Sequence, residues 1–339
     1  ASCAPYAELA ARLAHRMQAR LRLVHVSEDR RAPIVLGTDE EHLLGTVRHD
    51  LEAEAARLRA LTGAAVTVHL AAGNVVDALV SVAAFEQATA LLVGGEGSPR
   101  RTLLGATAER CAQRSHVPVV TLRETARLLA WLRGDRPLRV LVGADVGRAA
   151  QAARAFAATL GAIGPVEVEV TMVASPAEAH ARLGFSAPEE STALSSEAEA
   201  VLLRELTRSA PEGEAAASLR VLAGRGSADV HIVNRSEQGG FDLVVVGQRR
   251  HSLLEQLWYG SVARGVLRAS PVSVACVPPG AVTAATVVGA PRVVLVAMDF
   301  SPAAYRAFAH AFGFVHAEGT VHVVHVAEAS SASESEARI

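Results

Sequence analysis

The chain has 339 residues, enough for about two domains, and its net charge of −2 gives no electrostatic footprint for nucleic acid or an anionic membrane. Half of it is hydrophobic, yet no uncharged apolar run reaches the roughly 18 residues of a membrane span, so no transmembrane helix is predicted. All 33 basic residues are arginine, which excludes a phosphate-loop lysine and a Schiff base, and Cys3, Cys111 and Cys276 are too scattered for a disulfide framework or a cysteine zinc site. A reducing cytoplasm is the expected compartment.

In chain order, helical spacing at 7–18 leads to a strand at 21–26. A helix at 43–61, a strand at 65–70, a helix at 75–88 and a strand at 90–94 follow. Residues 106–114 are helical and 118–122 form a strand; 125–137 reads as a linker. The series resumes with strand 139–143, helix 149–160, strand 166–173, helix 197–208 and strands 220–223 and 243–247. Gly260-Ser261 opens another helix before strand 272–277, and 280–290 reads as a second linker. Strand 293–297, helix 303–314 and strand 320–326 come last, before a Ser/Glu/Ala-rich tail at 330–339 that is expected to be disordered. Several strands are continuous Val/Leu runs, which suit burial on both faces. Strands alternating with helices predict a doubly wound α/β fold with parallel sheets.

The chain also repeats itself. LLVGGEGSPRRTLLGATAERCAQRSHVPVVTL at 91–122 aligns with LVVVGQRRHSLLEQLWYGSVARGVLRASPVSVACV at 243–277. Each reads strand, glycine, basic loop, glycine with a small residue, Ala-rich helix, strand. Residues 137–160 align with 291–314, each placing an Asp (Asp145, Asp299) between a strand and an Ala-rich helix. Residues 19–29 align with 319–329. The predicted units are 1–123, which lacks its first strand; 138–279, which is complete; and 292–328, which holds strand, helix and strand.

These motifs resemble the universal stress protein family, whose hallmark is a G-x2-G-x9-G-[S/T] loop after the fourth strand and an Asp ending the first. The resemblance implies five-stranded parallel sheets of strand order 3-2-1-4-5, repeated in tandem, with lobes pairing through their fifth strands. It also implies ATP binding in some members, with magnesium accompanying the nucleotide. Strand 1 is central in that order, so its place in the first unit must be filled, either by residues upstream of Ala1 or by the C-terminal unit. The duplicated helices 7–18 and 303–314 would compete for one place, which favours a chain cut from a longer protein.

Carried over by the resemblance, the second unit's site comprises Asp145 and Val173 beside the adenosine, with Gly247, Arg250, Gly260 and Ser261 at ribose and phosphates. Nine residues separate Arg250 from Gly260, as in the family, but Arg250 replaces the second glycine. A glycine there allows close backbone approach. An arginine either reaches phosphate through its own guanidinium or fills the pocket. In the first unit Gly94 and Gly97 are both present, but only seven residues precede Gly105. Ala106 follows instead of a hydroxyl, leaving Thr107 as the substitute. In the third unit Asp299 suits an adenosine contact and Ser301 a helix N-cap.

His25 and His325 recur at matching strand positions, which points to a packed structural role. His322 and His325 alternate across a strand and make a poor metal pair. His251 lies in the glycine loop, where exposure is expected. Glu96 and Asp242 lack a readable carboxylate partner, and no catalytic motif appears. The leading expectation is therefore a non-catalytic stress-response protein that binds adenine nucleotide in a minority of its lobes. It would act through fifth-strand pairing, with no nucleic-acid or membrane partner. A nucleotide-free scaffold and a nucleotide-dependent hydrolase or transferase are the alternatives.

Overall fold

The computed structural model describes residues 4–27, 38–94, 106–184, 193–211, 214, 217–248, 261–280, 293–297 and 320–324. It divides into two units, Ala1–Val282 and Thr283–Ile339.

The first unit begins with α1 (Ala4–Arg16), β1 (Arg20–Ser27), α2 (Thr38–Thr62), β2 (Ala65–Ala72) and α3 (Val75–Phe85). Then come β3 (Leu91–Gly94), α4 (Ala106–Arg114), β4 (Val119–Leu122) and α5 (Thr125–Arg133). The second repeat supplies β5 (Leu138–Gly143), α6 (Arg148–Thr159), β6 (Val166–Ala174), α7 (Pro176–Leu183) and α8 (Ser196–Arg208). It ends with β7 (Ser218–Ala223), α9 (Ala228–Gln238), β8 (Leu243–Gly247), α10 (Ser261–Ala269) and β9 (Ser273–Val277).

Seven strands form one sheet in the order β3-β4-β9-β8-β5-β6-β7. The five strands of the second repeat are all parallel within it and stand in the order 3-2-1-4-5. Their Val/Leu runs alternate between two cores, as a period of two requires. Val140, Val142, Val245 and Val277 pack on one face with residues of α5, α6 and α8. Leu141, Val244, Val246 and Cys276 pack on the other with residues of α4, α9 and α10. This is the doubly wound arrangement.

The sheet departs from a purely parallel one at β4 and β9, which pair antiparallel through Val119↔Cys276, Val120↔Ala275 and Thr121↔Val274. The fifth strands of the two repeats thereby join their sheets. In the first repeat β1 pairs with β2, and β3 pairs with β4. No described strand stands between β1 and β3 as β5 stands between β6 and β8.

The supposed linker 125–137 is corrected by α5. Leu128, Trp131 and Leu132 recur at helical spacing and are buried, and Gly134 ends the helix in a left-handed conformation (φ 87°). Arg16 of α1 donates to the Leu132 carbonyl, closing the same helix end. Helices α7 and α9 had no predicted bounds; α7 is only eight residues long, and α9 carries polar residues through its centre. In the second unit, β10 (Val293–Ala297) and β11 (Thr320–Val324) form a parallel pair. Helix 303–314, the tail 330–339, Asp299 and Ser301 lie outside the described residues.

Candidate functional site

In a parallel sheet every strand ends on the same edge, and the crevice opens where successive connections leave to opposite faces. That point is β5, flanked by β6 and β8: Gly143 aligns with Thr171 on one side and with Val246 on the other. The register therefore brings the chain after Gly143 beside Gly247. Asp145 lies two residues beyond β5, and its Oδ1 accepts from the Gly147 amide at 2.7 Å. This turn starts α6, whose N-cap is Gly147 and whose first turn holds no acid. The Asp145 carboxylate on the Gly147 amide thus supplies the negative charge that this helix start favours.

Gly247 has a structural reason that the sequence reading did not give. A Cβ there would lie 2.1 Å from the Ala149 carbonyl oxygen and 2.9 Å from the Ala150 nitrogen. Close packing of α6 on β8 therefore demands glycine, and its φ is not in the positive region. Val173 is the penultimate residue of β6, on the face of α9, half-buried in the core, with Gly224 against its Cγ1. Ser261 is the first residue of α10. Asp145 thus follows β5, Val173 lies near the end of β6, Gly247 ends β8 and Ser261 starts α10. Arg250, Gly260 and His251 lie outside the described residues.

The first repeat differs at its glycine. Gly94 ends β3, and a Cβ there would meet the Tyr6 ring at 3.2 Å, so an aromatic side chain of α1 lies over it. Thr107 is half-buried in the first turn of α4, two residues before Glu109. Gly97, Gly105 and Glu96 lie outside the described residues. Glu109 is 8% exposed and supplies a carboxylate to an end of α4 that already favours one. The corresponding end of α10 has no acid.

Sequence reading missed what surrounds the second loop. Gln248, directly after Gly247, is buried; its amide donates to the Val277 carbonyl at 2.8 Å, and its Nε2 donates to the Ala112 carbonyl on α4. Carbonyls in a last helical turn lack intrahelical donors, so a side chain of the second repeat caps a helix of the first. Glu109 accepts from Arg264 Nε at 2.7 Å and from Arg268 at 2.9 and 3.0 Å. Burial opposes ionisation of Glu109, but the hydrogen bonds from Arg268 and Arg264 and their charges outweigh it, holding the carboxyl below its ordinary value.

Other buried charges hold the fold. Asp242 accepts from the Arg139 amide at 2.9 Å and from Arg136 at 3.1 Å, the latter in the segment read as a linker. Arg154 is fully buried, with Glu214, the Leu206 carbonyl and Ser209 as partners. Glu169 accepts from Arg235 and Thr171. His25 is exposed on β1 rather than packed. Burial pushes the Cys111 thiol up to about 11 and the Cys276 thiol to about 12, so neither is a thiolate at neutral pH. Among the described residues, no group of three His, Cys, Asp or Glu side chains could hold a metal ion. No helix there is long and apolar enough to cross a membrane.

A profile of the Universal stress protein family matches residues 2–123, 138–278 and 291–338. A universal stress protein from Archaeoglobus fulgidus DSM 4304 is similar in structure, with a TM-score of 0.60 and 18% identity over 81% of this chain and 94% of that one. A protein of unknown function from Pseudomonas aeruginosa PAO1 is similar at a TM-score of 0.52 and 17% identity, covering 81% of this chain and 88% of its own. At these identities the likeness is one of fold. No curated protein matches this chain.

Proposed function

Because the chain belongs to the universal stress protein family, we propose that it is a non-catalytic protein that binds an adenine nucleotide in its second repeat. It would serve a stress response in the cytoplasm. The observation that carries this reading is the strand edge at β5. Asp145 follows β5, and the register sets the chain after Gly143 beside Gly247, which supports a crevice at this edge; in this reading Val173 and the start of α10 line it too. In this reading Asp145 and Val173 flank the adenosine, while backbone N–H groups at the start of α10 and Ser261 hold the phosphates with magnesium. The nucleotide would bias how the fifth strands pair.

The first repeat is the poorer candidate. Tyr6 lies over Gly94, and the first turn of α4 carries Glu109, an acid engaged by Arg264 and Arg268 of the second repeat. A nucleotide-free scaffold is the second reading, favoured by Gly247, whose glycine is fully accounted for by packing against α6. Calorimetric titration with MgATP separates the two. Binding to the wild type that is abolished in Gly260→Arg supports the nucleotide site. No binding to the folded wild type leaves the scaffold, and ATP turnover at enzyme-like rates would make the protein a hydrolase.

A further inference from the structure

The joint between the repeats has a near-exact local symmetry. Residues 105–122 and 260–277 correspond without a gap, 155 positions apart. Ser115 and Ser270 make the same turn in each, bonding the carbonyl and amide two residues on. In the β4–β9 ladder Val120 faces Ala275, its own counterpart. Val119 faces Cys276, and Thr121 faces Val274, the counterpart of Val119. A local two-fold axis therefore passes through the Val120–Ala275 pair, and a residue close to the axis meets its own equivalent.

Glu109 does so. Its counterpart is Arg264, and the two are bonded at 2.7 Å. Arg268, whose counterpart is Gln113, completes the cluster. We propose that Glu109, Arg264 and Arg268 are a pairing code that admits a first repeat against a second and opposes either repeat against its own kind. Two first repeats joined by the same ladder would set Glu109 against Glu109. Two second repeats would crowd two copies each of Arg264 and Arg268 around one point. The Glu109 side chain is only 11% exposed, so a second carboxylate there is weakly screened, whereas Arg264 and Arg268, at 45% and 50%, repel their own kind less.

The strands themselves discriminate little, because main-chain bonds are common to all pairings and Val120 and Ala275 are both aliphatic. Arg123 adds a one-sided contact. Its guanidinium donates to the Leu267 and Ser270 carbonyls at the end of α10, and its counterpart, Pro278, has no donor to return. A pair of second repeats would leave those carbonyls without that partner. Attractive and repulsive elements together set the choice of partner. The occupant of each fifth-strand edge is the other repeat.

The full chain tests this by thermal unfolding and by light-scattering mass over a range of concentrations. Glu109→Arg is expected to lower the unfolding midpoint by roughly 5 °C or more, and Glu109→Gln by about half as much. Glu109→Arg combined with Arg264→Glu and Arg268→Glu recovers the wild-type midpoint. The neutral chain carrying Glu109→Gln, Arg264→Gln and Arg268→Gln approaches twice the wild-type mass as concentration rises, while the wild type does not. The proposal fails if Glu109→Arg is no worse than Glu109→Gln, or if the folded neutral chain keeps the wild-type mass. Should the neutral chain not fold, the charge-swapped chain decides, and failure to recover the midpoint overturns the proposal.

Discussion

The two repeats use the same motif differently, and the contrast is sharpest at their glycines. In the second repeat Gly247 lies against the backbone of α6, at a carbonyl that cannot withdraw without moving the helix. In the first, Gly94 faces the ring of Tyr6, a side chain that can rotate. One glycine is held by the fold, the other by a neighbour. The same contrast recurs one turn into the following helix, where an acid in α4 meets a base in α10. Duplicated sequence thus left one glycine locked by a helix and the other covered by a movable ring, with the two repeats joined by an acid–base pair.

The largest expected effect tests the glycines. Gly247→Ala should destabilise the chain by about 3 kcal/mol or more, since α6 must shift. Gly94→Ala should cost about 1 kcal/mol or less, since Tyr6 can give way. Denaturant unfolding of both variants measures the difference, and equal losses would erase the asymmetry. Next comes the ligand. Asp145→Ala should weaken MgATP binding roughly tenfold or more through loss of a charge-assisted contact, whereas Thr107→Ala should leave it unchanged in the same titration.

A smaller effect follows from acid. Glu109 between the repeats and Glu169 within the second both titrate below their ordinary value of 4.5; at each, burial opposes the charge and arginine hydrogen bonds prevail. A depressed carboxyl stabilises the fold above its unfolded value and loses that contribution as pH falls through its folded value. Stability should therefore drop below about pH 4.5, and Glu109→Gln should flatten part of that drop in unfolding curves taken at successive pH values. The smallest effect concerns Thr121. Its hydroxyl is buried in β4 with no hydrogen-bond partner among the described residues. Thr121→Val should stabilise the chain by about 1 kcal/mol, read as a small rise in the unfolding midpoint.

The sequence carried the fold well, because continuous Val/Leu strands between Ala-rich helices have few other solutions. It carried α5 poorly. Gly134, Asp135 and Pro137 read as punctuation, although Leu128, Trp131 and Leu132 already stood at helical spacing. Of the site, motif spacing supplied Asp145 and the glycines, but not the reason for Gly247, which depends on a helix approaching from elsewhere in the chain. Gln248 was illegible for the same reason: its partner, Ala112, is 136 residues away. Glu109 and Arg264 could have been found, since a repeat that conserves helix and strand yet reverses one charge is asking what faces that position.

The antiparallel joint also sets a timetable. Val120 waits for Ala275, which the ribosome adds 155 residues later. At about 5–20 residues per second the first repeat spends on the order of ten seconds with its β4 edge unsatisfied. Helix α5 emerges directly after β4, so its Leu128, Trp131 and Leu132 can begin packing long before β9 arrives. The segment that reads as a linker is thus the next apolar surface to reach Leu9 and Leu122 of the first repeat, with which it shares a core.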